Sequence, residues 1–144
     1  MSAEEASRAA VSKAPVSGIV AMIHVADVER SAKFYRLLGF EIGNRVPREG
    51  KPHWAWLYAP KAANWKHGPN LMVTRTEKPV NVKAQQVLFY LYAADLKSLR
   101  KQLITAGVKV GGICYPEYLP KGEFETHDPD GYLLMIAQAT HDTP

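Results

Sequence analysis

The sequence has one cysteine, Cys114, in 144 residues, so no disulfide can close within the chain. That excludes a disulfide-stapled secreted domain and fits a reducing compartment. Beside Gly111, Gly112 and Ile113, Cys114 reads as a small apolar filler rather than a nucleophile. Long apolar runs are missing too. Nothing approaches the roughly 20 residues that cross a bilayer, and the N-terminus lacks the apolar core of a secretory signal. A soluble cytoplasmic protein with no membrane partner is expected. Also missing is any gathered charge. The net charge is +4, but Arg30, Lys33, Arg36, Lys97, Arg100 and Lys101 are scattered rather than drawn into a stripe. A nucleic-acid partner is therefore not expected, and an acidic or neutral small ligand is favoured over a cationic one.

What is present fits one globular domain with one core, at 47% apolar and 22% charged residues. Residues 1–17 read as a mobile arm, 18–138 as the domain and 139–144 as a tail. Ile19 to Val25 has β-branched residues on alternate positions and predicts a mostly buried strand. Asp27 then caps a helix whose apolar Val28, Ala32, Tyr35 and Leu38 keep a three-and-four spacing until Gly39 ends it. Strands are predicted at Phe40 to Val46, His53 to Tyr58 and Asn70 to Thr74, with a Lys-rich loop carrying Trp65 and His67 between the last two.

The pattern then repeats. Ala26-Asp27-Val28 through Gly39-Phe40-Glu41-Ile42-Gly43 aligns without a gap, 68 residues on, with Ala94-Asp95-Leu96 through Gly107-Val108-Lys109-Val110-Gly111. An aromatic strand, Val87 to Tyr92, precedes the second helix. Val108 to Ile113, Glu123 to His127 and Tyr132 to Ala137 follow it. The chain is thus two βαβββ modules, about 18–76 and 85–138. The last two strands are joined by the turn Asp128-Pro129-Asp130-Gly131, in which Asp128 bonds the backbone ahead of it, Pro129 pre-sets φ and Gly131 relaxes the exit.

The doubled module, the stretch Ser31-Ala32-Lys33-Phe34-Tyr35 followed by Leu38-Gly39-Phe40, and the final Asp-Pro-Asp-Gly-Tyr turn resemble the vicinal oxygen chelate superfamily. Glyoxalase I, extradiol dioxygenases and bleomycin resistance proteins belong to it. The resemblance implies an α+β fold in which two βαβββ modules form a curled mixed β-sheet cup with helices outside, and a homodimer. In metal-dependent members, His, Glu or Gln on first and last strands point into the cup. Here the matching positions are Val20, Leu88 (or Phe89), Met72 and Met135, none of them a hard N or O donor. The resemblance therefore implies no metal and no cofactor, in the manner of the bleomycin resistance proteins. The alternative is a lyase, isomerase or dioxygenase working through a non-standard site. His24, His53, His67, His127 and His141 lack the spacing of a ligand pair.

Side-chain alternation puts Met22 and His24 on the face of Val20, and Tyr90 and Tyr92 on the face of Leu88. Asn70 and Thr74 flank Met72, while Leu133 and Ala137 flank Met135. Trp54, Trp56 and Tyr58 share one face of the third strand, and parity alone leaves open which face looks inward. The candidate ligand-binding residues are therefore His24, Met22, Trp54, Trp56, Met72, Tyr90, Tyr92 and Met135. Together they suggest an apolar, aromatic box for a flat or conjugated, neutral or anionic small molecule, with His24 as an anchor or an acid or base. The Trp65 loop and Tyr115 to Pro120 are candidates for a dimer interface or a lid.

Overall fold

A computed structural model describes residues 15–16, 18–63 and 67–143. The predicted arm lies almost wholly outside the described residues, as does Trp65. The elements run β1 (Met22–Val25), α1 (Val28–Arg36), β2 (Glu41–Val46), β3 (Trp54–Tyr58) and β4 (Asn70–Arg75) in the first module. The second contains β5 (Phe89–Ala93), α2 (Leu96–Thr105), β6 (Glu123–His127) and β7 (Leu133–Gln138).

The helix boundaries follow from local chemistry that recurs in both modules. Asp27 Oδ1 accepts from the Arg30 N–H at 3.0 Å, and Asp95 Oδ1 accepts from Ser98 N–H at 3.0 Å. At the other end, Phe40 N–H donates to the Tyr35 carbonyl and Val108 N–H to the Leu103 carbonyl. Between them Gly39 and Gly107 take φ of +91° and +84°, which a side chain would resist.

The four-stranded sheet has order β1-β4-β3-β2, with β1 parallel to β4 and the other pairs antiparallel. The three-stranded sheet has order β5-β7-β6, with β5 parallel to β7 and β6 antiparallel to it. Its register repeats the first: Met22 opposes Met72, and Tyr90 opposes Met135. The fold is α+β, as expected, but the second module is a strand short. Val108 to Ile113 is not a strand; only single bridges, Val110 to Thr126 and Cys114 to Glu123, mark its path. Gly111 and Gly112 interrupt it, offering no side chains to pack, and the Gly111 carbonyl accepts from Arg100 Nε at 2.9 Å. Cys114 is exposed, not the filler expected.

One face of each sheet is closed by its helix. Ile23, Val25, Ala55, Leu57, Leu71 and Val73 meet Val28, Ala32 and Tyr35 of α1, and Tyr132 and Leu134 join them from the second module. Leu96 and Leu103 of α2 cover Phe124 and Ile136. Leu38, Leu91 and Val108 border both clusters and fuse them. No helix among the described residues is long and apolar enough to cross a membrane.

The Asp128–Gly131 turn ties the modules together. Asp128 is 4% exposed and its carboxylate accepts from the Tyr35 hydroxyl at 2.8 Å, and from the N–H groups of Asp130 and Tyr132 at 3.0 Å. Asp130 accepts from the Ala26 N–H at 2.8 Å and from Arg30 Nη2 at 3.1 Å, at the start of α1. Tyr132 donates its hydroxyl to the His24 carbonyl at 2.9 Å. Burial raises the Asp128 carboxyl above its ordinary value, against the pull of these donors.

Tyr35→Phe removes a donor from a buried carboxylate and is expected to cost about 1–3 kcal/mol. Because Asp128 is raised on folding, its contribution to stability is greatest below the ordinary carboxylate value and falls as pH rises through the folded one. Losing the Tyr35 hydroxyl lifts the folded value further. Urea unfolding at about pH 4 and about pH 7 should therefore find the gap between wild type and variant smaller in acid; a gap that widens in acid would refute this account of the turn.

Candidate functional site

Among the described residues, the faces turned away from the helices remain open. On β1 and β4, Ile23, Val25, Leu71 and Val73 are buried, which leaves Met22, His24, Asn70, Met72 and Thr74 on the open side. On β3, Ala55 and Leu57 are buried, so Trp54, Trp56 and Tyr58 share that side. The register then sets rows across the sheet. His24, Thr74 and Trp54 form one, Met22, Met72 and Trp56 the next, and Asn70 with Tyr58 a third.

Trp56 is held through both its indole nitrogen and its ring. Its indole N–H donates to Asn70 Oδ1 at 3.1 Å, and Asn70 in turn donates to the Gly68 carbonyl at 2.9 Å. Its ring stacks on Tyr58 with centroids 4.9 Å apart and planes 6° from parallel. A bulge in β2 places Gly43 beneath this pair, where a Cβ would come within 2.4 Å of the Trp56 ring. Neither Asn70's role as a clamp nor that of Gly43 was legible in the sequence. The glycine's place in an otherwise alternating strand was the available signal.

The second sheet has its own open face. Leu88 and Tyr90 are each 42% exposed, while Phe89 packs into the core, so the face carries Leu88, Tyr90 and Tyr92. Met135 lies beside Tyr90 in register, with Glu125 on its other side; Glu123 and Ala137 pair one step along. Tyr90 and Tyr92 stand with ring centroids 6.3 Å apart. Glu123 is the residue the sequence reading missed on this face. It is 4% exposed and accepts from the Tyr90 and Tyr118 hydroxyls, each at 3.1 Å. The parity of β6, with Phe124 and Thr126 buried between Glu123, Glu125 and His127, was the signal for it.

The eight candidates therefore do not converge in one chamber. Met22, His24, Trp54, Trp56 and Met72 lie together on the first sheet, and Tyr90, Tyr92 and Met135 on the second. A cavity of about 430 Å³ between the modules brings Asn70 to Tyr90 and Tyr92 across apolar walls that include Phe40 and Phe89. Met22 and His24 instead border a separate cavity of about 500 Å³, shared with Lys78, Val80 and Tyr132. His24 is exposed.

The positions where a metal would be held carry Val20, Met72, Leu88 and Met135, which offer hydrocarbon and thioether. Those groups do not fit a hard divalent ion. Among the described residues, no three His, Cys, Asp or Glu side chains are grouped to hold a metal.

Comparison with known proteins bears on the fold. Residues 21–51, spanning β1, α1 and β2, match the family model described as bleomycin resistance protein-like N-terminal. No curated protein matches the sequence. Among solved structures, a bleomycin-binding protein complexed with bleomycin superposes with a TM-score of 0.65 at 20% identity, covering 87% of this chain and 100% of that one. An integron cassette protein from the mobile metagenome of the Halifax Harbour sewage outfall gives 0.67 at 22% identity, covering 86% and 100%. TnmS3, an antibiotic-binding protein from Streptomyces sp. CB03234, gives 0.59 at 20% identity, covering 88% and 99%. With the recurring module register, these likenesses show that the chain has the fold of the bleomycin resistance and glyoxalase-type proteins.

Proposed function

We propose that the chain is a metal-independent small-molecule binding protein that holds an aromatic or conjugated ligand against its open sheet faces. The observation that carries this reading is the Trp56–Tyr58 stack. Two large rings lie half-buried on a face that no helix covers among the described residues, locked in orientation by Asn70 and given room by Gly43. A preorganised ring pair loses little entropy when a flat molecule stacks on it, and each aromatic contact is worth about 0.5–1.5 kcal/mol beyond burial. The likeness to bleomycin-binding and antibiotic-binding proteins supports the same class of partner. A net charge of +4 favours a neutral or anionic body for the ligand at long range. The row that His24 shares with Thr74 and Trp54 on the open face supports reading it as an anchor for a carbonyl or carboxylate. A lyase, isomerase or dioxygenase of this fold that holds its metal at the usual positions would need hard donors where Val20, Met72, Leu88 and Met135 stand.

The partner that best completes the site is a second copy of the chain. β1 and β5 are both sheet edges, and the chain along them leaves Ile19 94%, Met22 51%, Val87 62% and Leu88 42% exposed. An apolar, unpaired edge is a template for pairing, and burial of these side chains against a twin would stabilise both. A cytoplasmic setting, where Cys114 stays reduced, suits this reading.

Three measurements test the proposal. Titration with 2-naphthoate should quench Trp fluorescence without consuming the probe, and Trp56→Ala and Gly43→Ala should each weaken binding about two- to tenfold; unchanged affinity in both variants would remove the platform. His24→Ala should weaken 2-naphthoate but not neutral naphthalene. Metal analysis of purified protein should find no stoichiometric divalent ion, and about one per chain would overturn metal independence. In sedimentation, the wild type should run as a dimer and Ile19→Glu as a monomer; a monomeric wild type would refute the twin.

A further inference from the structure

Residues 76–88 link the modules, leaving β4 and returning to β5 past the outer edge of β1. Two apolar side chains fix this linker. Val80 packs against the first core cluster, and Val82 lies against Gly131, where a Cβ would come within 3.0 Å of it. Thr76 Oγ1 accepts from the Lys78 N–H at 3.2 Å, and Gln85 Oε1 from the Val87 N–H at 2.8 Å, which shapes the linker at both ends. Between the linker and β1 lies the cavity of about 500 Å³.

The lining of this cavity carries charge of one sign. His24, Lys78, Asn81 and Gln85 lie on it, and among the described residues no Asp or Glu does. Asp128 and Asp130, on the turn before Tyr132, are taken up by Tyr35, Ala26 and Arg30. The rest of the wall is largely apolar, with Met22, Val80, Val87 and Phe89. β1 adds its backbone. The Ala21 and Val25 carbonyls accept from the Met72 and Thr76 N–H groups, both at 2.9 Å, so those positions bond toward β4. Alternation turns the N–H groups of Met22 and His24 to the free edge of the sheet, where the Tyr132 hydroxyl meets the His24 carbonyl. Met22 and His24 both line the cavity.

One permanent positive charge, edge N–H donors and two side-chain amides suit an anion of single charge; a dianion would keep one charge unmatched. The apolar walls suit a hydrocarbon body on that anion, which inorganic phosphate lacks. We propose that this cavity is a second binding site, separate from the Trp56–Tyr58 platform, for an organic monocarboxylate. Its carboxylate meets Lys78, His24 and the free edge of β1, and its hydrocarbon body lies against Val80, Val87 and Phe89. The site goes beyond the platform reading and shares only His24 with it. Lys78 is exposed, so solvent weakens its pairing with the carboxylate, and the fixed edge N–H groups supply the direction that a flexible lysine does not.

The test uses cyclohexanecarboxylate, whose saturated ring cannot stack on an indole, and its uncharged counterpart cyclohexanecarboxamide, in NMR titrations of the full chain. Wild type should bind the acid about fivefold more tightly than the carboxamide, with shifts centred on residues 22–24 and 78–87. Lys78→Gln should reduce that preference to less than about twofold. Val87→Glu, at a position 62% exposed, puts a like charge on the wall and should weaken the acid by about fivefold or more, and the carboxamide less, with the backbone spectrum still folded. Equal binding of acid and carboxamide by wild type would overturn the site, as would shifts centred on residues 54–58, which would place the acid on the platform instead. Binding of neither probe, or a preference that survives Lys78→Gln unchanged, would overturn it too. The platform reading stands or falls separately, on Trp quenching by 2-naphthoate in wild type and Trp56→Ala.

Discussion

The architecture depends on two carboxylates of one four-residue turn. Asp128 turns inward to Tyr35, and Asp130 reaches the Ala26 N–H and Arg30 at the head of α1. The turn that closes the second module is thus also the N-terminal anchor of the first module's helix. Its position is electrostatically apt, since an anion at a helix N-terminus meets free N–H groups and the positive end of the dipole. Asp27 already caps that helix from within its own module. Asp130 serves the residue before it, so the two aspartates divide the donors between local and distant partners. Tyr132, at the exit of the same turn, fixes the His24 carbonyl and so sets where β1 lies. A change at this turn would reach the open face without touching any residue on it.

The fold was legible where chemistry is local. Asp and Gly at helix ends state their role in the sequence, and the 68-residue offset between Asp27 and Asp95 carries the same caps, the same closing bonds and the same register of central strands. Alternation likewise assigned Met22, His24, Tyr90 and Tyr92 to the side away from the helices. It could not orient β3, because Trp54, Trp56 and Tyr58 are as plausible in a core as on a platform; the burial of Ala55 and Leu57 decides that. The missing strand at Val108 to Ile113 shows where pattern misleads. Val108 and Val110 alternate as a strand should, but Gly111 and Gly112 break the run, and Arg100 occupies a carbonyl along it.

The candidate site was legible only in halves. Parity says which way a side chain points from its own sheet and nothing about whether two sheets face each other. That relation is set by long-range contacts through Leu38, Leu91 and Val108. Glu123 was missed for a related reason. Its environment is made by Tyr118, whose segment folds back from a loop, and by Tyr90 from a strand far away in sequence. Summed charge hid it as well, since a total of +4 describes the surface and not one buried carboxylate.

Duplication with divergence explains why two such different faces stand on one scaffold. In the equivalent registers, Met22 beside Met72 becomes Tyr90 beside Met135, and the next step replaces His24 by Tyr92. The neighbouring antiparallel strand differs more: Trp56 stands opposite Met72, but Glu125 opposite Met135. On the central strands β4 and β7 the sides that face the helices stay aliphatic, as Leu71 and Val73 correspond to Leu134 and Ile136. Open faces carry no such constraint, because substitutions there leave no cavity in the core. The first module could therefore become an indole platform and the second a phenol and carboxylate surface at little cost to folding.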